Sequence, residues 1–419
     1  MREMIINLIN DDNEKRILKR STVWNMVASI LNSLMSAFLL FFVTRINGVT
    51  IAGMFSYASA VSYQCLSLGA YGVRNFQASD VKNEYSFFDY FNLRIFSAIL
   101  MYTLLIYYAF FNGYSLEKAM IVFTFGVFKS VDALEDVFHG EYHRQGRLDV
   151  GAILQSVRYF ISLIIFVIIL IISKDLVLTC SVASLSTIII FIVQNKVIVK
   201  YYIDTKYNFD FLKVKKLFLL ITPICISNLI NMYVVNAPKY AIDNHLMSDF
   251  QAYFGYLLTP VFTINLLSTV IYRPYINKLS MDWQNNDMKS FNQHILVQLG
   301  IIAVLTISIT LFGYVIGLKL LEILYGVSLH EYMFCFVLLL LGGGFNTIAS
   351  FLSIILTIQR KQKTILVGYI VSFLFCLIFA DYLVINYELL GASLLYIFTS
   401  LILSMVFTVF MVISNRKYD

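Results

Sequence analysis

The sequence predicts an all-α, polytopic membrane protein with about twelve transmembrane helices in two six-helix bundles. Hydrophobic residues make up 59% of the 419 residues and charged residues only 13%, whereas a soluble domain has roughly 45–50% and about 25%. Short polar loops also divide the apolar residues into segments of about 20. This length matches helices that cross a hydrocarbon core of about 30 Å.

Each apolar segment is interpreted as one span, and the loops between spans determine the orientation. The expected spans are 21–43, 51–72, 91–111, 116–138, 150–172, 177–199, 217–238, 251–272, 293–317, 332–358, 364–385 and 390–413. Lysine and arginine are concentrated in the N-terminal tail, the even-numbered loops and the C-terminal tail, so both termini are predicted to be cytoplasmic. The stretch before the first span lacks the apolar core of a signal peptide, so we expect the first span to target the chain.

A basic stretch near the middle of the chain divides the spans into two sets of six. We therefore predict an N-terminal bundle at 1–200, a cytoplasmic basic linker at 201–216 and a C-terminal bundle at 217–419. Because six is even, the two bundles share one orientation, as in transporters with parallel repeats and a pseudo-two-fold axis along the membrane normal. Arg45 and Lys239 end spans 1 and 7, and Arg74 and Arg273 end spans 2 and 8, at nearly equal separations along the chain.

The fourth span contains charged residues where lipid cannot solvate them. Lys129, Asp132 and Asp136 fall on one stripe of a helix, close to Glu135, so the stripe has to face protein or trapped water. One interpretation is a structural ion pair between Lys129 and Asp132, in which case reversing both charges should partly restore what either single change destroys. The alternative is gradient coupling, with a proton or sodium ion taken up by one of the three acids.

Two histidines follow the same stripe at a spacing of four residues. His139 and His143 have no third ligand nearby in the sequence, so we expect surface residues rather than a metal site. The five cysteines all lie in apolar segments and are expected to be small buried hydrophobic side chains.

Polar residues and single cations mark the first span of each bundle. Asn25 and Asn32 follow one face of span 1, and Asn228 and Asn231 follow one face of span 7. These faces either form hydrogen bonds between helices or line a hydrated cavity. Arg45 and Lys239 stand at the predicted outer ends of the same spans, where a cation either snorkels to lipid phosphates or binds an anionic head group.

Signatures of catalysis are missing from the sequence. It has no Walker A loop, no HEXXH and no GXSXG motif, so we do not expect an enzyme. The basic residues are spread among the loops rather than gathered on one element, so a nucleic-acid partner is not expected.

Four stretches of the chain resemble one known family. They are YGVRNFQASD at 71–80, DALEDVFHGEYHRQGRLDVG at 132–151, NAPKYAID at 236–243 and QAYFGYLLTP at 251–260. With the twelve spans, they resemble the Wzx-type polysaccharide and O-antigen flippases of the multidrug/oligosaccharidyl-lipid/polysaccharide (MOP) exporter superfamily. The resemblance covers essentially the whole chain.

The resemblance implies a MOP fold of the MATE type, and it also implies the class of substrate. The implied substrate is an undecaprenyl-diphosphate-linked oligosaccharide, which crosses from the cytoplasmic to the outer leaflet of the bacterial inner membrane for surface polysaccharide assembly. Matched by motif, Arg45 and Lys239 are the first candidates to bind the diphosphate, followed by Arg74 and Arg273. The implied partners are membrane lipids and the polysaccharide polymerase machinery, and no cofactor is expected beyond a proton or sodium gradient.

Two other functions remain open at this point. A multidrug or cation extruder on the same fold would need an acidic pocket, and the best acids lie near the predicted cytoplasmic end of span 4. The other is a membrane enzyme such as a polysaccharide polymerase or an acyltransferase. A polymerase usually needs a large external loop, and the outer loops here are short.

Overall fold

The computed structural model describes residues 13–80, 83–203 and 210–415, and the regular structure in these ranges is helical. The helices are α1 (Glu14–Asn47), α2 (Val49–Ala70), α3 (Val73–Ser79), α4 (Phe87–Phe110), α5 (Leu116–Arg144), α6 (Leu148–Ser173), α7 (Leu176–Tyr202), α8 (Phe211–His245), α9 (Ser248–Tyr272), α10 (Ile276–Gln284), α11 (Met288–Phe312), α12 (Leu318–Tyr325), α13 (Met333–Ile358) and α14 (Gln362–Asn415). A π-helical turn, Gly313–Gly317, joins α11 to α12.

The predicted all-α membrane fold is confirmed. Each predicted span lies on a helix, with ends that differ by a few residues. Within the described residues, nine helical stretches are long and apolar enough to cross a membrane. α2 and α5 are not among these nine, because polar or charged side chains interrupt their apolar runs.

The last helix contains two of the predicted spans. α14 is 54 residues long, and its backbone departs from helical geometry at Glu388, with φ 50° and ψ −125°. The break falls between the predicted spans 364–385 and 390–413. Two spans are therefore joined by a single non-helical residue.

The first compact unit, Met1–Leu229, is built around α5. α2, α3, α4, α6 and α7 all pack against α5, and α1 packs on α2 and α6. Gly126 of α5 allows close packing, because a Cβ atom there would lie 2.3 Å from Leu105 of α4. The helix that carries the charged stripe is therefore surrounded by protein.

The second compact unit, Ile230–Asp419, is built around α13. α9, α10, α11 and α14 pack against α13. At three consecutive glycines, 342–344, an added Cβ would lie 2.8 Å from Tyr396 of α14, 2.4 Å from Val261 of α9 and 2.3 Å from Thr306 of α11. The glycines thus let three different helices approach α13 at one level.

Along the chain, the division between the two units falls between Leu229 and Ile230, inside α8. The predicted linker, 201–216, lies partly outside the described residues. The predicted bundle boundaries, 1–200 and 217–419, therefore stay a prediction.

Candidate functional site

The charged residues of α5 form a buried cluster near the middle of this helix. Lys129 lies close to the midpoint between Leu116 and Arg144, the two ends of α5. At about 1.5 Å per residue, it is about 20 Å from either end. The sequence placed this charge towards the cytoplasmic end of span 4, but α5 extends further, to Arg144, and so Lys129 lies centrally.

Arg158 of α6 is the centre of this cluster. Its Nη2 atom lies 2.6 Å from Asp132 Oδ1 and 2.7 Å from Glu135 Oε2, and its Nε also donates to Glu135 Oε2 at 3.0 Å. Nη1 donates to the hydroxyl of Thr187 on α7 at 3.1 Å. The Arg158 side chain is 1% exposed, so a complete set of partners is needed to offset the cost of burying its charge.

Lys129 occupies the other side of Asp132. Its Nζ atom lies 2.6 Å from Asp132 Oδ2. The same atom lies 5.0 Å from the centre of the Tyr63 ring and 5.6 Å from that of the Tyr159 ring, and both distances are within the range of cation–π contacts. The Tyr63 hydroxyl is 2.9 Å from Ser36 of α1. The charged cluster is thereby connected to the polar face of α1.

Asp136 is bound by two arginines from different helices. Its Oδ2 atom accepts from Nη2 of Arg94 on α4 at 2.8 Å, and its Oδ1 atom lies 3.6 Å from Nη1 of Arg74 on α3. Arg94 is completely buried, whereas the Arg74 side chain is 28% exposed. The cluster therefore has one cation, Arg74, that solvent can reach.

The expectation that both histidines lie at the surface is wrong for His139. This residue is 2% exposed, because α3 and α6 pack on the same part of α5. Its ring lies against Gly151 of α6, where an added Cβ would be 3.1 Å from His139 Cδ2, and its Nε2 atom is 3.6 Å from Glu135 Oε1. His143 is exposed, as expected.

A second polar cluster connects Asp80, at the end of α3, to the residues at 83–86 that precede α4. Arg144 donates to the Tyr85 carbonyl at 2.9 Å and to Glu141 at 2.8 Å, and it lies 3.8 Å from Asp80. Burial alone would raise the pKa of Asp80. The Glu84 and Tyr85 amides and the Tyr90 hydroxyl donate hydrogen bonds to its carboxylate, and Arg144 adds a positive charge. These contacts outweigh burial and hold the pKa of Asp80 below its usual range. Asp80 thus stays ionised and fixes the residues at 83–86.

The predicted cations differ in their surroundings. Arg45 is exposed at the last turn of α1, and Arg273 is exposed at the first position of the short 3₁₀ turn after α9. Lys239 is half-buried on α8, and its side chain makes no hydrogen bond or ion pair with any residue in the described ranges. Arg45 and Arg74 belong to the first unit, and Lys239 and Arg273 to the second.

The predicted polar faces are only partly buried. Asn25, Asn32 and Asn231 are half-buried and Asn228 is exposed. Asn32 Oδ1 is itself buried and finds no hydrogen-bond partner among the described residues. This acceptor is compatible with a polar wall, and the cavity-lining role of the four asparagines stays a prediction.

Two of the residues that complete the cluster were missed by the sequence analysis. Arg94 lies inside predicted span 91–111 and Arg158 inside predicted span 150–172, whereas the orientation rule considers basic residues in loops. The available signal was the presence of an arginine within an apolar span, since such a charge needs a buried partner. The acidic residues of span 4 were the candidates for that partner.

Comparisons with known proteins agree with this architecture. No known protein-family profile matches the chain. The chain is 26% identical, over 380 residues, to the capsular polysaccharide biosynthesis protein CapF of Staphylococcus aureus, and the alignment covers 88% of this chain and 92% of CapF.

Solved structures of transporters share the fold. An inward-facing multidrug-resistance MATE transporter of the MOP superfamily superimposes with a TM-score of 0.63 at 12% identity, over 95% of each chain. The bent form of the MATE transporter VcmN of Vibrio cholerae gives a TM-score of 0.62 at 15% identity, over 97% of this chain and 99% of VcmN. The resemblance indicated by the sequence motifs is confirmed in this form: the chain is similar to a capsular polysaccharide protein, and it has the all-α fold of the MOP-superfamily transporters.

Proposed function

We propose that this protein is a flippase for lipid-linked oligosaccharides. It moves an undecaprenyl-diphosphate-linked glycan from the cytoplasmic to the outer leaflet of the bacterial inner membrane, and both termini are cytoplasmic. The MOP fold supports transport rather than catalysis. The similarity to CapF, a protein named for capsular polysaccharide biosynthesis, supports a polysaccharide precursor as the cargo.

This proposal rests on the surroundings of the Lys239 side chain. Its charge is half-buried on a membrane-spanning helix and has no anionic partner among the described residues. A partly desolvated cation without a counter-ion is costly unless a ligand supplies the negative charge. The diphosphate of a polyprenyl-linked glycan is such a ligand.

The acids of α5 argue against a cation extruder. Asp132 and Glu135 already bind Arg158, Asp132 also binds Lys129, and Asp136 binds Arg94. A pocket for cationic drugs needs carboxylates that are free to bind the drug. The cluster instead resembles a structural core, and coupling to a proton or sodium gradient stays an open part of the proposal.

The cargo explains why a protein pathway is required. A diphosphate with attached sugars cannot cross about 30 Å of hydrocarbon unaided, because each desolvated polar or charged group is costly. Cations within the membrane lower this barrier. Lys239 and Arg45 are our first candidates for binding a diphosphate, followed by Arg74 and Arg273, and the asparagines of α1 and α8 are our candidates for lining a hydrated cavity.

The test is to measure lipid-linked glycan in cells depleted of the protein. Depletion should cause glycan to accumulate in a form that a membrane-impermeant reagent cannot reach, and the intact protein should reverse this. Lys239→Arg should also reverse it, because the charge is kept, whereas Lys239→Ala should not. Lys319→Ala, which changes an exposed lysine of the same unit, is the matched control and should behave as the intact protein.

Two outcomes contradict the proposal. If depletion leaves the glycan fully accessible, the protein does not move it. If Lys239→Ala is expressed normally and restores export as well as Lys319→Ala, Lys239 does not bind the diphosphate.

A further inference from the structure

The shared carboxylate of Asp136 holds one arginine firmly and the other loosely. The distance from Asp136 to Arg94 is 2.8 Å, which is a charge-assisted hydrogen bond. The distance to Arg74 is 3.6 Å, which is too long for a hydrogen bond. The two arginines are therefore not equivalent.

Arg94 is fixed by its surroundings. It is completely buried, and it donates a second hydrogen bond to the carbonyl of Gly69, which also accepts from Ser97 at 2.8 Å. Arg94 thus stays with Asp136 whatever happens to Arg74.

Arg74 has few restraints. It lies in the first turn of the short helix α3. This helix begins directly after two residues in left-handed conformation, Tyr71 (φ 52°) and Gly72 (φ 77°). Its side chain is 28% exposed, and Asp136 is its only ion-pair partner among the described residues. A solvent-accessible ion pair at this distance contributes little to stability.

The charges favour release of Arg74 rather than Arg94. Two arginines share one carboxylate, so one positive charge is in excess at Asp136. When Arg74 leaves, Arg94 and Asp136 remain as a neutral pair and no buried charge loses its partner. Moving Arg94 instead would leave a charge in the interior, which is strongly unfavourable.

We propose that Arg74 exchanges the Asp136 carboxylate for a phosphate of the lipid-linked substrate. Asp136 then acts as a positioning residue: it holds Arg74 while the site is empty and competes with the substrate for it afterwards. This inference rests on the proposed flippase function and adds a mechanism of release. A ligand shifts such an equilibrium only by its differential affinity for the two states, so the competing carboxylate sets how tightly the phosphate is held.

The exchange is tested by the affinity of the full-length protein for farnesyl diphosphate, an isoprenoid diphosphate, in phosphatidylcholine nanodiscs. Asp136→Asn removes the competing charge and should lower the Kd by about two- to fivefold, the range expected for losing competition from an exposed ion pair. In an Arg74→Ala background the same Asp136→Asn change should leave the Kd unaltered. A tightening that persists without Arg74, or no tightening at all, overturns the exchange.

A second pair of variants guards against misfolding. Asp136→Asn leaves Arg94 buried without its carboxylate, so it is also combined with Arg94→Met, which removes the buried arginine and its half-buried partner together. This double variant should show the same tightening. Asp136→Glu keeps the competing charge and should bind farnesyl diphosphate no more tightly than the intact protein.

A phospholipid head group is the other source of a phosphate at this position. Titration with phosphatidylglycerol in the same nanodiscs separates the two sources. Tightening for farnesyl diphosphate alone supports the substrate, whereas equal tightening for both ligands overturns that assignment. The cell assay separates this inference from the function: normal glycan transfer with no dependence of the Kd on Asp136 overturns only the exchange, and absence of transfer overturns the function.

Discussion

At the scale of single residues, Arg158 makes the part of the buried cluster that contains Lys129, Asp132 and Glu135 neutral. With Lys129 it supplies two positive charges, and Asp132 and Glu135 supply two negative charges, all on side chains that are at most 9% exposed. Removal of one member leaves the others buried without compensation. The cluster is therefore expected to act as a unit in unfolding experiments.

Replacing Arg158 by methionine should cause a large loss of stability. The change removes the arginine that binds Glu135 at 2.7 Å, and breaking a buried ion pair costs about 3–5 kcal/mol. The measurement is chemical unfolding of the purified protein in detergent. Arg16→Met, at an exposed arginine of α1, should change stability by less than about 0.5 kcal/mol, and an equal effect of the two changes would contradict the role given to Arg158.

The structure alters the expected result of reversing the charges of Lys129 and Asp132. From the sequence alone they are an isolated pair, for which reversal of both charges should partly restore the interaction. Since Arg158 lies 2.6 Å from Asp132, a lysine at position 132 would meet a second cation. Lys129→Asp with Asp132→Lys should therefore stay as unstable as Asp132→Lys alone, and recovery of the unfolding midpoint in the double variant would show that the pair is independent of Arg158.

At the scale of elements, the residues at 83–86 that precede α4 depend on one ionised carboxylate, Asp80. The pKa of Asp80 is lower in the folded protein than in the unfolded chain, so its stabilising effect is complete above the unfolded pKa of about 3.9 and is lost as the pH falls through the lower, folded value. Hydrogen exchange of the Glu84 and Tyr85 amides, corrected for the intrinsic effect of pH, should accelerate over this acidic range. Asp80→Asn should remove the pH dependence, and an unchanged profile in that variant would contradict the account.

The junction within α14 is strained at a single residue. A non-glycine residue with φ 50° and ψ −125°, as at Glu388, costs about 1–3 kcal/mol, and glycine avoids this cost. Glu388→Gly should stabilise the protein by about 1 kcal/mol after the entropy of glycine is subtracted. Tyr387→Gly, at the preceding helical residue, should destabilise it by about 0.5–1 kcal/mol, and thermal unfolding that shows the same sign for both changes would argue against strain at Glu388.

The elements themselves were largely predictable, and particular residues show why. Apolar segments long enough to cross the bilayer determine spans regardless of detail, so even the break at Glu388 fell between two predicted spans. The i, i+3 spacing placed Lys129 and Asp132 on one face of a helix. The burial of His139 was not predictable in the same way, because it depends on α3 and α6 packing against α5, and this is a property of tertiary structure.

At the scale of the whole molecule, the two compact units contain different chemistry. In the described residues, the first unit is organised around a charged central helix, α5, and the second around an apolar helix with three glycines, α13. The sequence predicts a parallel repeat of six spans, yet the ion-pair cluster occurs on only one of the two central helices. We attribute this difference to a division of roles, in which the first unit holds its core by charge and the second by close packing.

The most direct test of the central claim is lipid transfer by the purified protein in proteoliposomes. A labelled, diphosphate-linked oligosaccharide is incorporated into the bilayer, and a membrane-impermeant enzyme or reagent reports the fraction in the outer leaflet over time. The account predicts transfer that depends on the protein, persists with Lys239→Arg and is lost with Lys239→Ala. If the labelled lipid stays in its original leaflet while a cationic drug is transported by the same vesicles, the protein is an extruder and the account is wrong.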